Sequence, residues 1–267
     1  MRTKLVTSLG LFGLAALLVA VERRRPLRAS RAPRTRRQAQ NLALTAIAGL
    51  TIAAAETPLA AVLTRHVERR RIGLLKQVPL PAWVELLGAV VLIDATQWGW
   101  HWLTHAVPLL WRFHAVHHVD PDMDVSTATR FHPGELLLSV PFRAAQILVL
   151  GISPRAYAVW QSLTTAQILF QHANVRLPGR VDRLLATVIV TPRMHGIHHS
   201  SRPDEQSSNW GTIFSLFDRA LGVQRLDVPY DAIKIGLPGE DAPRSLGLRA
   251  ALALPFTSTA SGRRCAR

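Results

Sequence analysis

The chain has 267 residues, 48% of them hydrophobic, and 32 Lys and Arg against 17 Asp and Glu, a formal charge of +15. That apolar content excludes a disordered polar chain, and the length suffices for a sizeable core. The basic excess does not describe a nucleic-acid-binding surface, because the arginines lie between long apolar runs, the pattern of a membrane protein with cytoplasmic basic loops. A single cysteine, Cys265, excludes an intrachain disulfide and a cysteine-based zinc site.

In chain order, Leu5 to Val21 is uncharged and flanked by Arg2 and Lys4 before it and Arg23, Arg24 and Arg25 after it. A cleaved signal peptide shares these features, but no small-residue cleavage site precedes the arginines, so a retained span is expected. Residues 23–37 hold eight arginines and read as a cytoplasmic loop. A second run, 41–64, carries Glu56 as its only charge and Pro58 as a candidate kink. Arg65, Arg69, Arg70, Arg71 and Lys76 follow it, which leaves a re-entrant element as an alternative to a full span. The third run, 81–102, contains Glu85 and Asp94 and closes on Trp98, Trp100 and Trp102, an interfacial aromatic belt. Two shorter runs, 136–152 and 156–170, are joined at Ser153-Pro154. As helices they reach about 25 and about 22 Å, short of the roughly 30 Å hydrocarbon core, so a helical hairpin returning to its starting side, or two spans in a thinned bilayer, is predicted. Residues 181–190 suit the membrane surface, and 239–267 read as a poorly ordered tail. The expected fold is therefore all-α, an integral membrane helical bundle of about four transmembrane helices or helical hairpins under a cytosolic, histidine-rich metal-binding cap. Its parts are N-terminal membrane segments and basic loops (1–81), a central domain (82–222) and a partly disordered C-terminal tail (223–267).

Histidine carries the chemical argument. Ten of the 11 lie between His101 and His199, and eight are clustered: His101 with His105, then His114, His117 and His118, then His195, His198 and His199. Helical residues four apart share a face, so His101 and His105 can hold one ion, as can the outer members of each H-x-x-H-H; the middle member lies on the adjacent flank. Two such clusters can hold two ions. At this histidine frequency, one H-x-x-H-H arises by chance in roughly 2% of chains this long, and two arise far less often. Isolated His66 reads as an ordinary surface or core residue. His132 and His172 are further ligands or hydrogen-bond donors beside the ligands. Asp94, seven residues before His101 on one helix face, can accept an imidazole N–H, or else bond within the bundle. Glu135 has the same choice, with Arg143 as a structural partner. Asp120, Asp122 and Asp124 read as a solvated turn, and Arg112, Arg130 and Arg193 as basic residues against anionic head groups.

These residues resemble the fatty acid hydroxylase/sterol desaturase superfamily. The resemblance rests on the three histidine boxes in order, Arg130-Phe131-His132-Pro133-Gly134-Glu135, His172-Ala173-Asn174-Val175 and Asn209-Trp210-Gly211, and covers about residues 82–222. It implies a membrane-bound oxidoreductase in which His101, His105, His114, His117, His118, His195, His198 and His199 ligate two metal ions facing the cytoplasm. The ions are expected to be iron, with zinc possible in purified samples. The resemblance further implies O2 as co-substrate, hydroxylation or desaturation of a lipid C–H position, and a separate electron donor such as cytochrome b5, a ferredoxin or a reductase. No haem, flavin or iron–sulfur motif accompanies the histidines. Two rival readings stand beside it. A non-enzymatic membrane metal-binding or transport protein would place ligands near mid-membrane across repeated halves, and no repeat is evident. A zinc-dependent lipid hydrolase would be expected to carry H-E-x-x-H, which is absent.

Overall fold

The computed structural model of the chain describes residues 2–238 and 246–257. Among these the chain is helical, with isolated β-bridges and no strand. Helix α1 (Arg2–Arg24) leads to α2 (Arg34–Thr51), which passes through one π-helical turn, Ile52–Glu56, into α3 (Thr57–Arg70). Pro58 accounts for the turn: proline offers no N–H to the carbonyl of Ala54 and its ring crowds that carbonyl, and a widened turn absorbs both effects. The second apolar run is thus a continuous rod rather than a re-entrant element. Three helical stretches, Leu5–Arg24, Arg34–Lys76 and Pro133–Leu150, are long and apolar enough to cross a membrane.

Helix α4 (Ala82–Ala106) is comparably long but not among these three, and it carries Asp94, Gln97, His101 and His105. It stops because Val107, preceding Pro108, adopts an extended conformation; proline then starts α5 (Pro108–His118), which folds back onto α4. The predicted hairpin is α6 (Pro133–Leu150) and α7 (Pro154–His172). Its turn combines Gly151, in the left-handed region at φ +78°, with Ser153, whose side chain accepts the Ala156 N–H. Gly73, also left-handed at φ +90°, meets this turn so closely that an added Cβ would lie 2.3 Å from the Gly151 nitrogen. The loop after α3 therefore docks backbone to backbone on the hairpin. Helices α3, α4, α6 and α7 enclose one core that includes Val67, Ile93, Ile147 and Trp160.

Over one end of this bundle lie short helices α8 (Gly179–Leu185), α9 (Pro192–His198), α10 (Pro203–Gln206) and α11 (Leu216–Ala220). Val181, Leu184 and Val188 remain exposed, as a surface-lying stretch requires.

Several expectations need correction. The acidic loop is not solvated: Arg37 is buried against Asp120 and Asp124, Asn41 donates to Asp120, and Asp122 accepts the N–H groups of Arg31 and Ala32. The arginine-rich segment folds back and supplies the partners that a local reading of the loop cannot see. Arg130 and Arg193 do not face a lipid surface. Arg130 is buried, donating to the Val116 carbonyl, and Arg193 bonds the Leu226 and Val228 carbonyls beside Asp182. The expected tail is partly folded: α12 (Leu248–Ala253) packs its leucines against Leu44 and Val116. Residues 239–245 and 258–267, with Cys265, lie outside the described residues.

Candidate metal centre

All three histidine boxes meet where the ends of α4, α5 and α7 approach α9. The break at Val107 turns the end of α4 toward α5, which brings His101 and His105 against His114 and His118. The third box sits on α9, started by Pro192 and by Thr191, whose side chain caps the Met194 N–H. The rings sort into two groups: His101, His105, His114, His118 and His198 in one, and His117, His172, His195 and His199 in the other. Within each group, one ring nitrogen per residue lies within 4.8 Å of all the others.

This sorting follows the helix geometry. In each H-x-x-H-H the residues four apart share a face, and the one at i+3 falls on the flank. His114 and His118 join the group of five while His117 turns to the group of four. In the third box the assignment is reversed, with His195 and His199 in the group of four and His198 crossing to the group of five. Each H-x-x-H-H box therefore serves both groups, while His101 and His105 serve only the group of five, a division that a box-by-box reading of the sequence does not anticipate.

The nitrogens suit metal ions. Five rings direct Nδ1–H outward: His101 to the Trp210 carbonyl (2.9 Å), His114 to Glu135 Oε1 (2.8 Å), His117 to the Arg130 carbonyl (3.3 Å), His172 to the Ile168 carbonyl (2.8 Å) and His198 to the Ser208 carbonyl (2.9 Å). An imidazole protonated at Nδ1 offers its lone pair at Nε2, so these bonds fix the tautomer a ligand needs. The inward nitrogens then crowd one another: Nε2 to Nε2 is 3.0 Å for His172–His117 and His195–His172, and 3.1 Å for His199–His195. Two lone pairs facing at such a distance repel unless a cation or a proton lies between them. Metal–nitrogen bonds of about 2.0–2.1 Å at ordinary coordination angles separate ligand nitrogens by about 2.9–3.4 Å, which matches. His198 Nε2 is also buried with no hydrogen-bond partner. Burial pushes His117, His118, His195 and His199 well below the ordinary imidazole range and His198 down to about 3, neighbouring imidazoles adding to the effect, so these rings are neutral near pH 7.

All eight histidines of the three boxes fall in these groups, and His172 joins as a ninth. His132 does not: its Nδ1 accepts the Gly134 N–H at the start of α6, and its Nε2 lies 3.2 Å from the Leu252 carbonyl. Asp94 meets no imidazole; its carboxylate accepts the N–H groups of Ile213 and Phe214, at 3.0 and 2.9 Å, and pins the loop after the third box. Glu135 supports His114, while Arg143 pairs with Glu56 instead of Glu135. Asp218, not anticipated from sequence, accepts from Trp98 Nε1 and from the N–H groups of Trp210 and Gly211. A Cβ at Gly211 would sit 2.6 Å from the Phe214 carbonyl oxygen, so this tight loop requires glycine. The Asn209-Trp210-Gly211 segment thus aims the Trp210 carbonyl at His101.

A cavity of about 300 Å³ reaches both groups. His101, His114, His117, His172 and His195 form one end, and Ala48, Ile52, Trp100, Leu136 and Ile168 give it apolar walls.

The family model for fatty acid hydroxylases matches residues 86–223. Among curated proteins, an ornithine lipid hydroxylase of Rhizobium tropici is 33% identical over 159 residues, covering 59% of this chain and 46% of its own length. A cholesterol 25-hydroxylase-like protein of Danio rerio is 29% identical over 142 residues (52% of this chain, 54% of the relative). A human alkylglycerol monooxygenase is 26% identical over 132 residues (49% and 28%). The chain thus spans about half the length or less of these relatives. No solved structure matches. With the three histidine boxes inside the matched segment, the chain belongs to the fatty acid hydroxylase family.

Proposed function

We propose that this protein is a membrane-bound lipid oxygenase that uses a pair of iron ions and O2 to hydroxylate a C–H position, with desaturation as the alternative outcome at the same site. The observation that carries this reading is the apolar cavity ending on both histidine groups: a substrate long and apolar enough to fill it must present carbon, not a head group, to the imidazoles. The family relatives named for lipid hydroxylation favour the same chemistry.

The bound metal pair would supply O2 activation, one oxygen atom entering the C–H bond and the other leaving as water with two protons and two electrons from a separate donor protein. The chain's own part is positional and electrostatic. The nine imidazoles would hold the ions, and their outward bonds fix which nitrogen is offered. Glu135, hydrogen-bonded to His114, offsets part of the positive charge that neutral ligands leave uncompensated. Buried rings and apolar walls exclude water from the reacting carbon. The positive charge of the arginine-rich segment favours a cytoplasmic site, where a cytochrome b5, a ferredoxin or a reductase can deliver electrons. Clustered imidazoles alone would also suit metal transport, but an apolar cavity ending on them has no use in passing ions.

Whole-cell lipid mass spectrometry, comparing cells expressing the wild type with cells expressing His198→Ala, tests the reading. A lipid species gaining one oxygen, or losing two hydrogens, only with the wild type is expected. Lost head groups would point to hydrolysis, and an unchanged lipidome would reject the oxygenase.

A further inference from the structure

The end of the cavity away from the imidazoles holds polar groups that metal binding does not use. Arg143 on α6 is 8% exposed; its terminal nitrogens donate to Gln146 and Gln97, and its guanidinium lies 4.3 Å above the Trp160 ring. Its Nε stands 3.6 Å from Glu56, too far for a hydrogen bond. Glu56 closes the π-helical turn of the second rod and takes the Tyr157 hydroxyl at 2.6 Å, so the pair is held by three helices. Charged pairs inside a membrane bundle are costly and mark sites of use.

Three buried polar atoms in this region have no hydrogen-bond partner: Arg143 Nε, Trp160 Nε1 and Thr164 Oγ1. All three residues line the cavity, and Trp160 and Thr164 are four apart on one face of α7. Two are N–H donors and the third is a hydroxyl, which donates or accepts. Because Glu56 already accompanies Arg143, an anion placed here would face a carboxylate. An alkane would leave all three atoms unpaired, whereas one hydroxyl or carbonyl oxygen can accept from both N–H groups.

We propose that Arg143, Trp160 and Thr164 form a binding site for an uncharged oxygen, hydroxyl or carbonyl, on an otherwise apolar ligand. If the ligand is the substrate of the proposed oxygenase, on which this part rests, the site also sets which carbon reaches the imidazoles. At helical rise, Thr164 and Trp160 lie about 12 and about 18 Å along α7 from His172, so the carbon oxidised is several methylenes from the recognised oxygen.

Binding of radiolabelled 1-hexadecanol to the purified full chain, with hexadecane as competitor, tests the site without turnover. The alcohol should bind about tenfold or more tightly than the alkane. Thr164→Val should weaken that preference, and Trp160→Phe with Thr164→Val should weaken it further, with metal content unchanged. Equal affinity of the wild type for the two ligands, the result expected if these atoms hold only water, would overturn the proposal, as would variants that keep the preference. In active preparations, the position of the new oxygen relative to the old one should be single in the wild type and scattered in the variants. Alcohol preference without any lipid oxidation would keep this site and reject the oxygenase; oxidation without alcohol preference would do the reverse.

Discussion

An imidazole is a useful ligand only when the right nitrogen is free, and in this protein that is arranged one residue at a time. Glu135 does it for His114 with a charged acceptor, the strongest kind of partner. Glu135→Gln should therefore lower metal affinity by about 10–100-fold with the fold intact, read by metal competition against a chelator. The two groups differ in redundancy, five rings against four. His199→Ala leaves three ligands in its group and His105→Ala leaves four, so elemental analysis should find the greater metal loss in His199→Ala. The buried rings also set a pH dependence. His117, His118, His195 and His199 are held well below the ordinary value and His198 near 3, while the unfolded chain takes up protons below about pH 6.5. Their neutral-state stability is thus fully present above pH 6.5 and declines as the pH falls toward 3. Thermal unfolding of the metal-free protein should show a midpoint that is level above pH 7 and drops steadily on acidification to pH 5. A flat profile across that range would contradict the burial of neutral imidazoles.

At the scale of elements, carboxylates that bind backbone carry the site's rigidity. Asp94 on α4 and Asp218 on α11 together hold four N–H groups of the 210–214 loop, which in turn presents the Trp210 carbonyl to His101. Asp218→Ala strands two buried N–H donors and the Trp98 indole, and should cost about 3 kcal/mol, measurable as lowered thermal stability together with weakened metal binding. Elements were more legible than their partners. The hairpin was readable from Ser153-Pro154 and from run length, because proline and helix rise act locally. The break between α4 and α5 follows from Val107-Pro108 by the same rule, though it was not anticipated. The burial of Asp120, Asp122 and Asp124 was not readable, because Arg37 and Asn41 lie about eighty residues away in sequence and no local pattern announces the pairing.

For the whole molecule, the apolar runs disclosed the fold class and the histidine boxes the residues that converge, since spacing of three and four fixes a helix face and three such faces can share a common centre. How the boxes divide between two groups, the entry of His172 and the exclusion of His132 depend on how four helix ends meet, which spacing does not encode. The folding of 246–257 over α5 was hidden for a similar reason: its leucines read as tail until Leu44 and Val116 are seen to receive them. The proposed function stands on two ions at the histidine end of the cavity, and counting them is the direct test. Anaerobic loading with ferrous iron, removal of loose metal and elemental analysis should give two ions per chain for the wild type and about one for His199→Ala. A wild type that retains one ion or none under these conditions would contradict the account.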